Sequence, residues 1–297
     1  ICKLKIHYRV AAPHWGGFMC MGLGCNAAGV VGCRIVDSPR ERLIAILTNS
    51  LVPCNGRFPT LITILTLFCA GTAGDAVAGM ALAGLVVLGV AGTLLVSRLL
   101  SSTLLRGTPS AFAMELPPYR RPRLGQVVVR SVLDRTCFVL GRAAAVAAPA
   151  GLLIWVCANW TPGGLSLLAR CADTLNGLGG LMGMDGVILT AFLLSCPANE
   201  LFLPLLLMGY LSTGVLAEPE DLAALGHLLT DSGWTGLTAV CVLLFTLFHW
   251  PCTTTCLTVW RETGEGRWAI AAALVPTMLG GMLCLAVAST ARLLGLA

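Results

Sequence analysis

The chain has 297 residues, of which 57% are hydrophobic and only 11% are charged. A soluble domain carries about 25% charged residues, so this composition excludes an ordinary soluble protein and predicts a polytopic membrane protein. The net charge of +5 comes almost wholly from arginines that cluster in loops beside apolar segments, which also argues against a nucleic-acid-binding face.

The N-terminal region divides into three parts. Residues 1–17 mix basic side chains and histidines without an apolar core, so they contain no recognisable signal peptide. Residues 19–36 are apolar but short and glycine-rich, with Cys25 and Asn26 in the middle, which predicts a re-entrant or broken segment. Residues 37–56 begin with charges and continue with spaced leucines and isoleucines, which predicts an amphipathic helix at the membrane interface.

Apolar stretches of about 20 residues, the length that crosses a bilayer, occupy most of the remaining chain. The expected fold is all-α, with about six membrane spans plus re-entrant or broken helices. The predicted spans are 59–74, 76–97, 143–160, 187–212, 234–259 and 268–290.

The distribution of arginine predicts the orientation. The loop 98–142 holds eight arginines against two acids, which is typical of a cytoplasmic loop, and 260–268 has the same character. Both flanks of segment 187–212 are then external, which conflicts with a single crossing. Two interpretations remain open: a re-entrant hairpin whose half-helices meet at 196–200, or one kinked span with a wrongly assigned loop.

Four polar sites interrupt the apolar segments. Each combines a cysteine with glycine or proline and with an oxygen- or nitrogen-bearing side chain. They lie at 24–26, 53–57, 195–200 and 249–256. A carboxylate at bilayer depth costs at least ~2.5 kcal/mol on insertion scales, and glycine or proline frees backbone carbonyls. The sites therefore predict a place for a polar ligand, with a cation as the expected cargo.

Thiols favour a late first-row metal such as Fe²⁺, Zn²⁺ or Cu⁺ over Mg²⁺ or Ca²⁺. The candidate metal ligands are Cys25, Asn26, Cys54, Asn199, Glu200, His249, Cys252 and Cys256. Two alternatives stay open: His249 as an interfacial histidine beside Trp250, and Glu200 as a carboxylate that bonds freed backbone. Most of the other cysteines lie in apolar runs and are expected to serve packing.

A weak internal repeat accompanies these sites. Cys25 is followed by Arg34 and Arg40 at the same offsets at which Cys252 is followed by Arg261 and Arg267. Transporters often contain two repeats with a site between them, although 17 arginines make such a match unsurprising.

Two blocks in the first part of the chain, residues 22–29 and residues 34–59, resemble segments of FeoB, the bacterial ferrous-iron transporter family. Residues 22–29 (GLGCNAAG) are similar to the end of its first gate motif. Residues 34–48 (RIVDSPRERLIAILT), followed by 53–59 (PCNGRFP), resemble the segment specific to its C-terminal domain.

The second gate of that family has similar blocks here: 197–200 (PANE), 250–256 (WPCTTTC) and 261–264 (RETG). The resemblance covers about 19–290 in consistent order. It implies a multi-pass protein of the bacterial cytoplasmic (inner) membrane that imports Fe²⁺ along a path lined by the gate cysteines. It implies no permanent cofactor, with GTP acting only through a G domain.

The sequence departs from the family in having no GxxxxGK[ST] and no lysine after Lys5, so we expect neither GTP binding of that kind nor enzymatic activity. We expect a C-terminal portion that lies in the bilayer and works with a G-domain-bearing partner or missing N-terminal half; assembly into a homo-oligomer stays open. The expected regions are a leader (1–17), the end of the first gate (18–33), a FeoB C-terminal-type domain with two spans (34–100), a basic cytoplasmic loop (101–142), a second gate domain (143–260) and a final span (261–297).

Two other functions stay open. The chain could transport another solute, such as a different divalent metal or a nucleoside. It could also be a truncated, non-transporting fragment or an assembly subunit.

Overall fold

The computed structural model describes residues 19–36, 38–70, 74–103, 125, 128–129, 138–216 and 221–295. These residues form helices joined by short connections, and no strand occurs among them. We number the longer helices in chain order: α1 Asn26–Gly32, α2 Pro39–Asn49, α3 Phe58–Leu65, α4 Asp75–Ser102, α5 Phe138–Asn159, α6 Leu167–Leu181, α7 Gly186–Leu194, α8 Phe202–Leu211, α9 Leu222–Asp231, α10 Gly236–Phe248, α11 Thr253–Thr263 and α12 Gly266–Leu293.

Residues 19–24 are helical and, together with α1, form a helical hairpin that we call hairpin A. The chain reverses at Cys25, which has an extended backbone conformation (φ −153°, ψ 121°). A Cβ atom built on Gly22 or on Gly29 would meet the same atom, Asn49 Oδ1, at 2.7 and 2.4 Å. Residues seven apart in one continuous helix lie about 10 Å apart, so only a reversal brings these two glycines together. The predicted break in segment 19–36 is confirmed at Cys25.

Broken span A consists of α2, a break at residues 50–57, then α3 and the π-helical turn Thr66–Ala70. Ser38 caps the start of α2 by accepting a hydrogen bond from the Glu41 amide at 3.5 Å. Helix α2 is not the interfacial helix that the sequence predicts, because all residues from Ile44 to Asn49 are buried. An interfacial helix keeps one face in water, and the second half of α2 has no exposed face.

Broken span A connects the two ends of the bundle. At its start, Arg40 donates to the carbonyl of Ser101 at 3.1 Å, and Arg34 pairs nearby with Glu262, so we call this the Arg34 end. At its finish, the Phe68 ring stacks 6.0 Å from the ring of Trp234. Helix α4 then returns to the Arg34 end.

In the first half of the chain, a hairpin is followed by a broken span and a long helix. The second half also contains a hairpin, made of α7 and α8, which we call hairpin B. Its ends meet because Tyr210 donates a hydrogen bond to Asp185, and Trp234 Nε1 donates to the Tyr210 hydroxyl at 2.8 Å. A Cβ on Gly209 would also lie 2.6 Å from Val187 Cγ1. Segment 187–212 is therefore a hairpin rather than one kinked span, and both of its ends lie at what we call the Asp185 end.

Helix α6 precedes hairpin B and forms a bent pair with α7, at an angle of 111°. The crossing is tight, since a Cβ on Gly186 would lie only 1.8 Å from the Ala172 carbonyl oxygen. Helix α5 also finishes at the Asp185 end, where the Asn159 side chain donates to the carbonyl of Gly214 at 2.9 Å.

Broken span B consists of α10, a break at residues 249–252, and α11. It runs from the Asp185 end to the Arg34 end, and α12 returns to the Asp185 end, where Arg292 donates to the carbonyl of Gly180. The order of hairpin, broken span and long helix thus occurs twice, in opposite directions. Such inverted repeats are common in secondary transporters, which place their sites between the two copies.

Among the residues that the structure describes, three helical segments are long and apolar enough to cross a membrane: α4, broken span B and α12. The bent pair α6–α7 would make a fourth. The six predicted spans are not confirmed as a count. The main apolar core lies around α3, α7, α8 and α10, and includes Phe192, Phe202 and Phe245. A smaller core at the Arg34 end joins hairpin A, α2, α11 and α12.

Candidate functional site

The breaks of both broken spans meet the tip of hairpin B. The tip contains the 3-10 turn Asn199–Leu201, which lies against the 3-10 turn Asn55–Arg57 of broken span A. A Cβ on Gly56 would lie 3.2 Å from Glu200 Cγ and 3.3 Å from Oε1. Glycine at position 56 therefore allows the two turns to approach closely.

Arg57 holds the two broken spans together at this point. Its side chain is completely buried and donates to the carbonyls of Ser50 (3.2 Å), Leu247 (2.9 Å), His249 (2.8 Å) and Trp250 (3.4 Å). These carbonyls stand at the C-terminal ends of α2 and α10, where a helix has no donors of its own. The positive guanidinium also complements the negative ends of both helix dipoles.

Asn199 connects hairpin B to both breaks. Its Nδ2 lies 3.8 Å from Cys54 Sγ in broken span A, and its Oδ1 lies 3.4 Å from His249 Nε2 in broken span B. All three side chains are buried. The structure thus brings an amide, a thiol and an imidazole together from positions 145 and 50 residues apart.

The hydrogen bonds of His249 indicate which ring nitrogen is free. Nδ1 lies 2.9 Å from the carbonyl of Thr246 and 3.2 Å from that of Phe245, so it must carry a proton to donate. In the neutral ring, Nε2 then carries the lone pair and faces Asn199 Oδ1, which is also an acceptor, so no hydrogen bond joins these two atoms. A cation between them could bind both, and a histidine whose Nδ1 is held by a carbonyl is typical of metal ligands. The rings of Phe192 and Phe245, 5.2 and 6.1 Å from the imidazole, pack around it.

A second contact joins hairpin B to the start of α11. The Cys196 carbonyl accepts from the Thr253 amide at 2.8 Å and from its hydroxyl at 3.1 Å, and the Cys196 thiol lies 3.6 Å from that hydroxyl. The Thr253 amide belongs to the first turn of α11, whose donors lack partners within the helix. The tip of hairpin B therefore closes against α11.

Three predicted cysteines lie around this junction. Cys252 precedes α11, and its thiol is 3.3 Å from the hydroxyl of Thr255. It is close enough to Cys25 and Cys54 to interact with both electrostatically, and Cys256, one turn further along α11, interacts in the same way with Cys196 and Cys252. Cys25 itself is exposed at the tip of hairpin A.

Two predicted ligands stand apart from the cluster of Cys54, Asn199 and His249. The Asn26 amide, oriented with its nitrogen toward the backbone, donates to the carbonyls of Gly22 (3.1 Å) and Val52 (3.2 Å), so it serves the packing of hairpin A. Glu200 is exposed beside Gly56, at the edge of the cluster.

The side chains at this junction do not form a closed metal cage. Among the described residues, no three His, Cys, Asp or Glu side chains stand close enough to hold a metal ion by themselves. A cation here would draw on the thiols, the imidazole Nε2, the amide oxygen and freed carbonyls in succession. Arg57, Cys196 and Thr253 lie within the predicted polar sites, but the sequence did not predict their roles, because these depend on partners that are distant along the chain.

Two protein families match the chain. The model described as "Ferrous iron transport protein B C terminus" matches residues 82–134, and the gate model described as "Nucleoside recognition" matches residues 140–266. No solved structure matches.

Curated relatives carry the name of the same transporter. The chain is 27% identical to the Fe(2+) transporter FeoB of Methanocaldococcus jannaschii over 290 residues, which cover 93% of this chain and 41% of the relative. It is 22% identical to a FeoA/FeoB fusion protein of Porphyromonas gingivalis, over 84% of this chain and 34% of that protein. A FeoB of Salmonella typhimurium is 34% identical over 120 residues, 40% of this chain and 15% of that protein. The chain thus spans less than half the length of these relatives. The two family matches and the relatives make it similar to the C-terminal, gate-bearing portion of FeoB transporters.

Proposed function

We propose that this chain forms the permeation pathway of a ferrous-iron importer in the cytoplasmic membrane. The observation that carries the proposal is the position of Asn199, between the Cys54 thiol and the His249 imidazole where hairpin B meets both broken spans. The matches to the FeoB family support Fe²⁺ as the transported substrate.

The chemistry of the cluster suits Fe²⁺. Thiol and imidazole ligands favour borderline metals over Mg²⁺ and Ca²⁺, which prefer sites made of oxygen alone. A transported ion must also leave, so a pathway needs several weak stations rather than one closed cage. The cluster of Cys54, Asn199 and His249 would be the central station, with Glu200 at its edge and Cys252 and Cys256 further along.

Gating would come from hairpin B. Entry to the central station requires the tip to separate from Thr253 and His249, which breaks the contacts of Cys196 and Asn199. The relatives are more than twice as long as this chain, and we propose that a G-domain-bearing partner or segment drives this opening.

The test is Fe²⁺ uptake into liposomes that contain the purified chain, under anaerobic conditions and with or without such a partner. Cys54→Ser is expected to lower uptake at least tenfold, since a hydroxyl replaces the soft ligand of the central station. The control is Cys157→Ser on α5, a partly exposed thiol outside the cluster, which should leave uptake unchanged. Equal effects of both substitutions would refute the pathway.

One alternative has an observation in its favour, because the gate model that matches residues 140–266 carries the description "Nucleoside recognition". A nucleoside site would tolerate Cys54→Ser and would show uptake of a labelled nucleoside that excess Fe²⁺ does not reduce. Absence of both fluxes, even with a partner, would favour a non-transporting subunit.

A further inference from the structure

The two signature segments of the chain, 34–48 and 261–264, are joined by an ion pair between Arg34 and Glu262. Arg34 Nε donates to Glu262 Oε2 at 2.7 Å, and Arg34 Nη2 donates to Oε1 at 2.6 Å. The partners are 228 residues apart, one at the end of hairpin A and the other at the end of broken span B. The pair therefore links two elements that must move apart if the Arg34 end opens.

The two partners differ in exposure. The Glu262 side chain is 12% exposed, whereas that of Arg34 is 65% exposed. The guanidinium thus covers a carboxylate that is largely withdrawn into the protein. On its inner side, Glu262 is close enough to the buried Cys33 thiol to interact with it electrostatically.

A polar face of α11 leads from Cys252 to Glu262. Cys252, Thr255, Thr258 and Glu262 follow one another at intervals of three, three and four residues, which places them on one side of a helix. Thr255 and Thr258 are buried, and α11 packs against α1 of hairpin A. With a rise of 1.5 Å per residue, Glu262 lies about 15 Å from Cys252, or half of a ~30 Å apolar core.

Polar groups inside a membrane protein that are not needed for packing commonly mark an ion pathway. The threonines could serve packing alone, since Thr258 also donates to the carbonyl of Thr254 at 2.7 Å. The Glu262 carboxylate at the end of this face is different, because it is largely covered and needs a cation to balance it. In the structure, the Arg34 guanidinium supplies that positive charge.

We propose that Glu262 is the last station for a divalent cation on its way out at the Arg34 end, and that the ion displaces Arg34 from the carboxylate as it leaves. This inference rests on the proposed function. It extends the proposed function by assigning a release site at Glu262, about half a bilayer from Cys252 along α11. An ion pair with one exposed partner is weak and screened by salt, so exchange for a divalent cation is feasible.

The test compares single substitutions with an exchange of the two charges, using anaerobic Fe²⁺ uptake into liposomes, equilibrium Fe²⁺ binding and melting temperature. Glu262→Gln is expected to lower the maximal uptake rate at least tenfold while the Fe²⁺ affinity of the protein changes less than twofold. Arg34→Gln is expected to raise the maximal uptake rate, because the ion no longer has to displace a guanidinium from the Glu262 carboxylate. Arg267→Gln is the control, since it removes an arginine of the same end that pairs locally with Glu265.

The double variant R34E/E262R separates release from simple structural pairing. It restores the ion pair, so the melting temperature should return to that of the wild type, but the rate should stay low because the carboxylate has moved. Recovery of the rate in the double variant, or a fall in rate with Arg34→Gln, would overturn the release site alone. Wild-type protein that binds and transports no Fe²⁺ would overturn the proposed function as well.

Discussion

The packing of hairpin A leads to a sharp prediction for Gly29→Ala. A Cβ at this position would lie 2.4 Å from Asn49 Oδ1, 2.9 Å from Nδ2 and 3.0 Å from Cγ. Asn49 is only 1% exposed, and its Nδ2 donates to the Asn26 carbonyl at 2.8 Å. The Asn49 side chain therefore cannot give way without breaking that bond, and the hairpin or α2 has to shift.

The expected free-energy change follows from three contributions. Loss of a buried hydrogen bond costs about 1–3 kcal/mol. Forcing a methyl group into filled space typically costs a further ~1–3 kcal/mol. Alanine recovers about 0.5–1 kcal/mol through its better helix propensity. Gly29→Ala should therefore destabilise the protein by about 3 kcal/mol.

The measurement is equilibrium unfolding in mixed detergent micelles. The matched control is Gly24→Ala, on the opposite arm of hairpin A, where an added Cβ would meet no atom within 4 Å. That variant should be as stable as the wild type or slightly more stable. The clash should also depend on Asn49, so Gly29→Ala should cost much less in an Asn49→Ala background.

Two results would contradict this reasoning. Gly29→Ala and Gly24→Ala could unfold at the same detergent composition, which would mean that Asn49 does not fill the space between the two arms. Alternatively, the effects of Gly29→Ala and Asn49→Ala could simply add, which would mean that the two positions are not in contact.

Three other predictions concern the junction and the topology. The Arg57→Lys variant should be less stable than the wild type, and Arg57→Met should accumulate little folded protein. Methionine leaves three buried carbonyls and the partly buried Trp250 carbonyl without this donor, at about 1–3 kcal/mol for each buried group. Membrane abundance and melting temperature measure both effects. Tyr210→Phe should lower stability by about 1–3 kcal/mol through loss of its bonds to Asp185 and Trp234, and a melting temperature equal to the wild type would contradict the closure of hairpin B. Cysteines placed at Thr213 and Ser232 should react with an impermeant reagent from one side of the membrane and a cysteine at Arg267 from the other; labelling of the first two from opposite sides would refute the hairpin.

The positions of the helix breaks could be predicted from the sequence. A cysteine next to glycine or proline inside an apolar run is a local signal, and the chain does reverse or break at Cys25, at 195–201 and at 249–252. The arginine distribution left both flanks of 187–212 on one side, which made a hairpin one of two open interpretations. These inferences succeed because each depends on residues that are close together along the chain.

The partners of the junction could not be predicted. Arg57 reads as part of a motif, but its role depends on carbonyls about 190 residues away. The interfacial helix predicted at 37–56 was wrong because amphipathic spacing does not reveal what covers the polar face. The weak repeat paired Cys25 with Cys252, whereas the fold pairs hairpin A with hairpin B and one broken span with the other. Backbone direction defines that correspondence, and arginine offsets carry no information about direction.

The buried position of Arg57 also has a consequence for biogenesis. The ribosome releases this residue long before it makes Leu247, His249 and Trp250, which supply three of its four acceptors. Until then, broken span A would hold a guanidinium at bilayer depth, which costs about 2.5–3.5 kcal/mol on insertion scales. The first half of the chain should therefore stay incompletely inserted, or be held by the insertion machinery, until the second half arrives. Synthesis that stops before α10 should yield a product that the cell degrades.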